Sequence, residues 1–364
     1  MIFDGFIFFN EMDLLEIRLN ELSSAVDRFI VVESNRTFTG KPKPLFFAEN
    51  RDRYAAFLDR IIYILVDDMP EGDDPWQREI HQRNAIMRGL TAANDNDTLI
   101  MTDVDEIPRS SVICGVNQVF DLHMNSYGVY VNAYTGQWNY GRIGSVGDFR
   151  ASSPEAIRHG QHSSSFENAG WHFSSVGGAK QIGEKFDAFS HQEQSVQIHN
   201  NRSRIAAYSK FGFGLFGGHI ACFPIDSSFP SYLVNNQEKF SHLIGHQLKY
   251  ESYVDSYALD LSQSLYTSEE IEWLYHISIG YRTALYIGED REAKHALSLN
   301  VTETCDGDPD ILFIEDPLRI DEILKSGVKA GSLMCGRGYD HAVAILQESF
   351  GKVDRIGNLW SCLL

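Results

Sequence analysis

The chain has 364 residues, 43% of them hydrophobic and 12% aromatic, enough apolar material for one large domain or two ordinary ones. Its 50 acidic residues outnumber 31 basic ones, giving a formal net charge of -19. That balance argues against nucleic acid or an anionic membrane as the main partner, since a strongly negative surface is repelled by both. No segment reaches the roughly 20 apolar residues of a membrane-spanning helix. Five cysteines, Cys114, Cys222, Cys305, Cys335 and Cys362, are scattered without Cys-x-x-Cys spacing. Neither a disulfide framework nor a zinc site is expected from them.

The opening MIFDGFIFFNEMD is apolar but carries Asp4 early and lacks a basic stretch. It predicts a first core strand rather than a signal peptide. The sequons at Asn35, Asn96, Asn201 and Asn300 are then chance occurrences, and the expected location is the cytoplasm. Leu15, Leu19, Leu22 and Val26 share one helical face in the next segment, with Asn10 placed to cap it. RFIVVES and RIIYILVDD predict the second and third strands, residues 76–93 a helix, and TLIMTD the fourth strand. Strands separated by helices imply an α/β fold with a largely parallel sheet and helices on both faces. Ligands of such sheets sit beyond the carboxyl ends of the strands. Asn10, Glu11, Glu33, Ser34 and the acids Asp103, Asp105 and Glu106 all fall at such ends.

Beyond Pro108 the pattern changes. The aromatic run at 127–140 predicts antiparallel strands, while residues 142–154 and 158–170 read as loops rich in Gly and Ser. Residues 170–193 read strand, turn, helix, and the glycine-rich segment 210–218 is a candidate cover for a site. A boundary is expected near residues 250–266. A capping box at 267–270 then opens a second series of alternating strands and helices. The expected domains are therefore 1–250 and 251–364.

The stretch TLIMTDVDEIPRS carries the chemistry. Two carboxylates spaced Asp-x-Asp at the tip of an apolar strand suit a hard divalent cation, with phosphate and water completing its shell. Such an ion would offset the charge of a diphosphate leaving group. A solvated acidic turn is the plain alternative. Arg78, Arg83 and Asn84 on the preceding helix add groups suited to phosphate oxygens.

Several segments in one order, FFNEMDLLEIRLNEL, VDRFIVVESNRTFTGKPKPL, WQREIHQRNAI, LIMTDVDEIPR, GWHFSSVGG and KFDAFSHQE, resemble glycosyltransferase family 17. The likeness runs from about Phe6 to Ile244. It implies a GT-A-like nucleotide-sugar-binding sheet, a UDP-sugar donor, transfer of N-acetylglucosamine with inversion, and Mn²⁺ or Mg²⁺ as cofactor. Carried onto this chain, Asp103 and Asp105 become the metal and diphosphate contacts, with Glu106 bracing their turn. His191 or His172 is the further metal ligand the resemblance implies. Asn10, Glu11, Glu33 and Ser34 would border the base and ribose, and Arg83 and Lys185 the diphosphate. Inversion needs a general base, for which Glu193 is preferred to Glu167 and Asp187. The implied partners are a UDP-sugar and a glycan or glycoconjugate acceptor, with Trp138, Trp171 and Tyr140 available to stack on sugar rings. The C-terminal segments resemble the second half of a Rossmann-like methyltransferase. They lack its glycine-rich turn, so a small α/β domain without cofactor is expected. A nucleotide-sugar-binding protein without catalysis is one alternative. Another is a phosphatase, since LIMTDVDEI is similar to the nucleophile loop of the haloacid dehalogenases.

Overall fold

The structure, a computed structural model, describes residues 1–193, 200, 205, 209, 214–215 and 220–246. It also describes five later strands, Ala284–Ile287, Ile311–Ile314, Leu333–Arg337, Val353–Ile356 and Leu359–Leu363. The chain divides into two compact units. The first comprises Met1–Gln192 and Phe213–Leu248, the second Glu193–Gly212 and Lys249–Leu364.

In the first unit, β1 (Ile2–Phe8), β2 (Arg28–Ser34), β3 (Ile61–Val66) and β4 (Thr98–Asp103) lie in the order β3-β2-β1-β4, every pair parallel. The linking helices are α1 (Met12–Leu22), α2 (Phe46–Glu49) and α3 (Pro75–Asn84). Asp74 caps α3 by accepting the Trp76 N–H, and Pro75 occupies the first turn, where its missing N–H costs nothing. The helix expected over 76–93 is α-helical only to Asn84 and then tightens into a 3-10 turn, Ala85–Leu90.

Period-two alternation decides which residues face which layer. Phe6, Phe8, Phe29, Val31 and Ile100 face α1, where Leu15, Leu19 and Leu22 meet them. Phe3, Ile30, Val32, Leu99 and Met101 face the other way, onto Ala85, Ile86 and Leu90. Both faces of the parallel strands are thus covered, and their tips are the part left open for chemistry.

The sheet continues as β4-β7-β6-β9-β5. It is built from β5 (Glu106–Pro108), β6 (Phe120–Val129), β7 (Ala133–Ser145) and β9 (Gly170–Val176), with β8 (Ser165–Phe166) and β10 (Ala221–Cys222) on its margins. β7 runs antiparallel to β4 and β6, whereas β6 and β9 are parallel. The sheet is therefore mixed rather than largely parallel. The first segment read as a loop holds a short helix, α4 (Val146–Ala151), and a second, α5 (Pro154–His159), bridges it to the other loop segment. Ser145 and Asp148 form a capping box on α4, and Ser153 caps α5 ahead of Pro154. α6 (Gly178–Ala188) and α7 (Ser231–Asn235) complete this unit.

Asn10 does not cap α1. Its side chain donates instead to Glu184 Oε2 at 3.1 Å, and Glu11 stands at the N-cap.

The second unit contains a five-stranded sheet, β11 (Ala284–Ile287), β12 (Ile311–Ile314), β13 (Leu333–Arg337), β14 (Val353–Ile356) and β15 (Leu359–Leu363), in the order β11-β12-β13-β15-β14. β11, β12 and β13 are parallel, and β15 returns antiparallel to both β13 and β14. The expected boundary near 250–266, the capping box and the helices between these strands lie outside the described residues. So does the segment 210–218 apart from Gly214 and Leu215.

Candidate active site

β4 ends at Asp103, and after two intervening residues the chain starts β5 at Glu106. The tight turn between them presents Asp103 and Asp105 to different neighbours. Asp103 meets α3 and α5: Arg158 Nη2 donates to its Oδ2 at 2.9 Å, and Arg83 Nη2 lies 3.3 Å from its Oδ1. Asp105 meets α6, where Lys185 Nζ donates to its Oδ2 at 2.7 Å. The Asp103 side chain keeps 25% of its surface exposed, that of Asp105 only 7%, so Asp103 is the more accessible carboxylate.

Glu106 closes the turn from within. Its Oε2 accepts the Asp103 N–H at 3.1 Å, and its Oε1 accepts the Trp138 indole N–H at 2.7 Å. Arg158 reaches both oxygens, at 3.1 and 2.7 Å. Burial alone would raise the Glu106 carboxyl, but the Arg158 guanidinium beside it holds it well below the usual carboxylate range. Arg18 of α1 supports the same turn from below, donating to the carbonyls of Asp103 at 2.9 Å and Glu106 at 2.7 Å. Backbone and side chains of the turn are therefore held by separate buried guanidinium groups, the rigidity a precise site needs.

Two further acids complete the charge pattern. Glu155 and Glu79 accept from Arg83 at 2.5 and 2.6 Å. Burial works against the Arg83 cation, but Asp103, Glu79 and Glu155 outweigh it and keep the group charged. Its buried Nε has no partner in the structure.

On the Asp105 side a small pocket is lined by Asn10, Glu11, Asp105, Gln181, Lys185 and apolar side chains that include Phe173. Glu11 Oε2 accepts the N–H groups of Phe9 and Asn10. Burial pushes the Glu11 carboxyl up, with Lys185 opposing and Asp105 reinforcing that shift. Burial also disfavours the Lys185 ammonium, but Asp105 and Glu11 overcome it, so the cation is retained. Ser175 on the pocket wall has φ 52, and Gly177 and Gly178 follow with φ 103 and 83. A serine in that left-handed region is strained backbone.

Glu33 is fully enclosed, accepting the N–H groups of Phe47 and Ala48 and the Tyr63 hydroxyl, with Lys43 at 3.5 Å. Ser34 is buried too and accepts the Arg36 N–H at 3.1 Å. As folded here, these two hold the loop after β2 rather than face a ligand. Arg78 serves that loop as well, through the carbonyls of Phe38 and Pro70. His172 is paired between Ser126 and Glu106 across neighbouring strands, its Nδ1 3.3 Å from Ser126 Oγ. Burial drives its imidazole toward the neutral form against the pull of Asp105 and Glu106. His191 is exposed, its ring edge-on to Trp76 at 4.6 Å. Among the described residues, no three His, Cys, Asp or Glu side chains gather as a metal-binding group. Glu193 is exposed and belongs to the second unit, while Glu167 pairs with His123. Trp171 is buried core, with its indole N–H on the Ser228 carbonyl.

Arg18 and Arg158 were not singled out by the sequence reading. The Ser-Pro start of α5 was the available signal for Arg158, since it turns a supposed loop into a helix that aims the arginine inward. Arg18 lies among the polar residues of an amphipathic helix, and nothing local distinguishes it from a solvated one.

A family model for glycosyltransferase family 17 matches residues 1–217, a span that includes the acid turn, Arg83, Arg158 and Lys185. Among curated proteins, the beta-1,4-mannosyl-glycoprotein 4-beta-N-acetylglucosaminyltransferases of Homo sapiens and Rattus norvegicus are each 32% identical over 137 residues. The Mus musculus protein of that name is 31% identical over the same length. Each match covers 33% of this chain and 26% of the relative, so the chain spans about a quarter of the length of the curated relatives it matches. With the family model matching well over half of its residues, the chain belongs to glycosyltransferase family 17.

Proposed function

We propose that this chain is an inverting glycosyltransferase that moves a sugar, N-acetylglucosamine in our reading, from a UDP-sugar to a hydroxyl of a glycan or glycoconjugate. Family membership and the activity named for the matched relatives support sugar transfer. The observation that carries the donor reading is the acid turn at the tip of β4, with Asp103 beside Arg83 and Arg158 and Asp105 beside Lys185. We read the sheet as GT-A-like, with the nucleotide across the strand tips.

In the reaction, the acceptor oxygen bonds to the anomeric carbon as the bond from that carbon to the diphosphate oxygen breaks. The acceptor proton passes to a base, and UDP leaves with the electron pair. Lys185, Arg83 and Arg158 supply fixed positive charge where the leaving group gains negative charge. Such preorganised charge lowers a barrier without reorganisation during the step. A hard divalent ion bound through a nucleotide needs only one or two protein carboxylates. The partly exposed Asp103 together with Asp105 meets that need. Mn²⁺ or Mg²⁺ held there would neutralise the diphosphate. Lys185 would then shift from Asp105 toward the phosphate oxygens.

No helix among the described residues is long and apolar enough to cross a membrane. Cys114 and Cys222 are free thiols, which suits a reducing compartment and supports our placing the reaction in the cytoplasm.

The test is UDP release from UDP-N-acetylglucosamine over a panel of oligosaccharide acceptors, with transfer verified by the mass of the product. Acceptor-dependent release that Asp103→Ala abolishes is the expected result. Release of inorganic phosphate from simple phosphomonoesters, with no sugar transfer, would replace this reading with the phosphatase one.

A further inference from the structure

The acid turn has two unlike flanks. On the Asp105 side lies the polar pocket of Glu11 and Lys185. On the Asp103 side lie aromatic rings carried by β7. Trp138 is oriented by its N–H bond to Glu106 and by His172, on which its indole stacks with centroids 4.2 Å apart and 29° between the planes. Tyr140, two residues on, lies 4.9 Å from Trp138 at an angle of 50°. The guanidinium carbon of Arg158, which also holds Asp103, is 5.7 Å from the Tyr140 ring. Tyr140 is 41% exposed, and the exposed His159 stands edge-on to it at 5.7 Å. Tyr140 is thus within one side chain of the acid turn, held on its inner side by buried charge and open on its outer side.

We propose that Trp138 and Tyr140 form the acceptor subsite of this enzyme, receiving the C–H face of a neutral pyranose ring beside the acid turn. The inference rests on the reading of the turn as the donor site. Aromatic faces carry negative charge density and attract polarised C–H groups, and a pyranose offers such a face between rims of hydroxyls. Asp103, Glu106 and Glu155 nearby, on a chain of net charge -19, favour a neutral ring over an anionic one. The indole N–H is already committed to Glu106, so the rings contribute their faces. The exposed His159, whose Nε2 lies 3.1 Å from Glu155 Oε1, stands at the rim of the Tyr140 ring. Neither ring lines the pocket with Lys185, which leaves this face for the second substrate.

Tyr140→Ala is the clean probe. Arg158 uses the Tyr140 carbonyl, which the substitution keeps, whereas changing Trp138 would strip Glu106 of a donor. Binding of chitotriose and of β-1,4-mannotriose to the full chain is followed by tryptophan fluorescence with UDP present, and UDP affinity is measured separately by calorimetry. Wild type should bind at least one trisaccharide. Tyr140→Ala should weaken that binding by about tenfold, Tyr140→Phe should restore it, and UDP affinity should be the same in all three proteins. Trisaccharide binding that Tyr140→Ala leaves intact would overturn the subsite. So would a wild type that binds UDP but neither trisaccharide. Loss of UDP affinity in Tyr140→Ala would assign the rings to the donor base instead. A wild type that binds a trisaccharide through Tyr140 but no UDP would keep the subsite and refute the donor reading. Binding of neither ligand would overturn both.

Discussion

Arg18 and Asp4 face each other with both side chains fully enclosed, Nη2 to Oδ1 at 2.5 Å and Nε to Oδ2 at 2.8 Å. The pair lies on the α1 face of the sheet, where Arg18 also stacks 4.4 Å over the Phe6 ring and donates to Thr102 Oγ1 at 2.6 Å. A buried ion pair is a weak source of stability by itself, because desolvation offsets the attraction. Its use here is to aim the guanidinium at the carbonyls of the acid turn. Removing one partner strands the other, so Arg18→Met should cost about 3–5 kcal/mol by urea unfolding. The double variant Arg18→Met/Asp4→Leu should recover a large share of that loss yet still weaken UDP binding. A double variant with wild-type UDP affinity would show that the carbonyl contacts do not position the turn.

Gly170 tests the other support of the turn. β9 pairs with β5 there, opposite Pro108, and a Cβ at Gly170 would stand 2.2 Å from the Ile107 carbonyl oxygen. The obstacle is backbone, so it cannot rotate away. Gly170→Ala should destabilise by about 1–3 kcal/mol or more and displace Glu106 with β5. Thermal unfolding at the wild-type midpoint would contradict this.

Among the described residues, Lys185 is the single lysine that touches an acid of the turn. Lys185→Ala leaves Asp105 and Glu11 without it, and a charged hydrogen bond is worth about 1.5–3 kcal/mol. UDP affinity should fall about tenfold or more, whereas the exposed Arg88→Ala should leave it unchanged. Equal affinities in the two variants would remove Lys185 from the diphosphate site.

The pH dependence of folding should show the cluster that ties α1 to the segment 232–242. Glu16 meets Arg53, Tyr232 and Lys239, and Asp13 meets Arg53 and His242. Burial opposes ionisation of both acids, but these partners prevail and lower both carboxyls from 4.5 and 3.8. Groups lowered in the folded state stabilise it above their unfolded values and lose that contribution as pH falls through the folded ones. Stability should therefore hold above pH 4.5 and decline below it, with a shallower decline in Glu16→Gln. An identical acid limb in that variant would count against the cluster.

The first four strands and α1 were legible because burial on both faces imposes strong apolar periodicity. The acids were legible because a strand tip ending in Asp-x-Asp is unusual in polarity. What escaped depends on partners distant in sequence. Glu33 looked like a contact to base or ribose by position, yet backbone N–H groups 14 and 15 residues later enclose it. Arg18 is assigned by Asp4 and by carbonyls 85 and 88 residues away, which no local pattern encodes. Trp138 read as a strand aromatic, and only the register of β7 with β6 and β9 brings its N–H to Glu106.

The central claim, that the acid turn binds the diphosphate of a UDP-sugar, is tested most directly by calorimetric titration of UDP into the full chain. The titration is made with and without Mn²⁺, for wild type, Asp103→Ala and Asp105→Ala. Binding that Mn²⁺ strengthens in wild type, and that falls at least tenfold in both variants, is the predicted result. UDP binding of equal strength in all three proteins, or none in wild type, would contradict it.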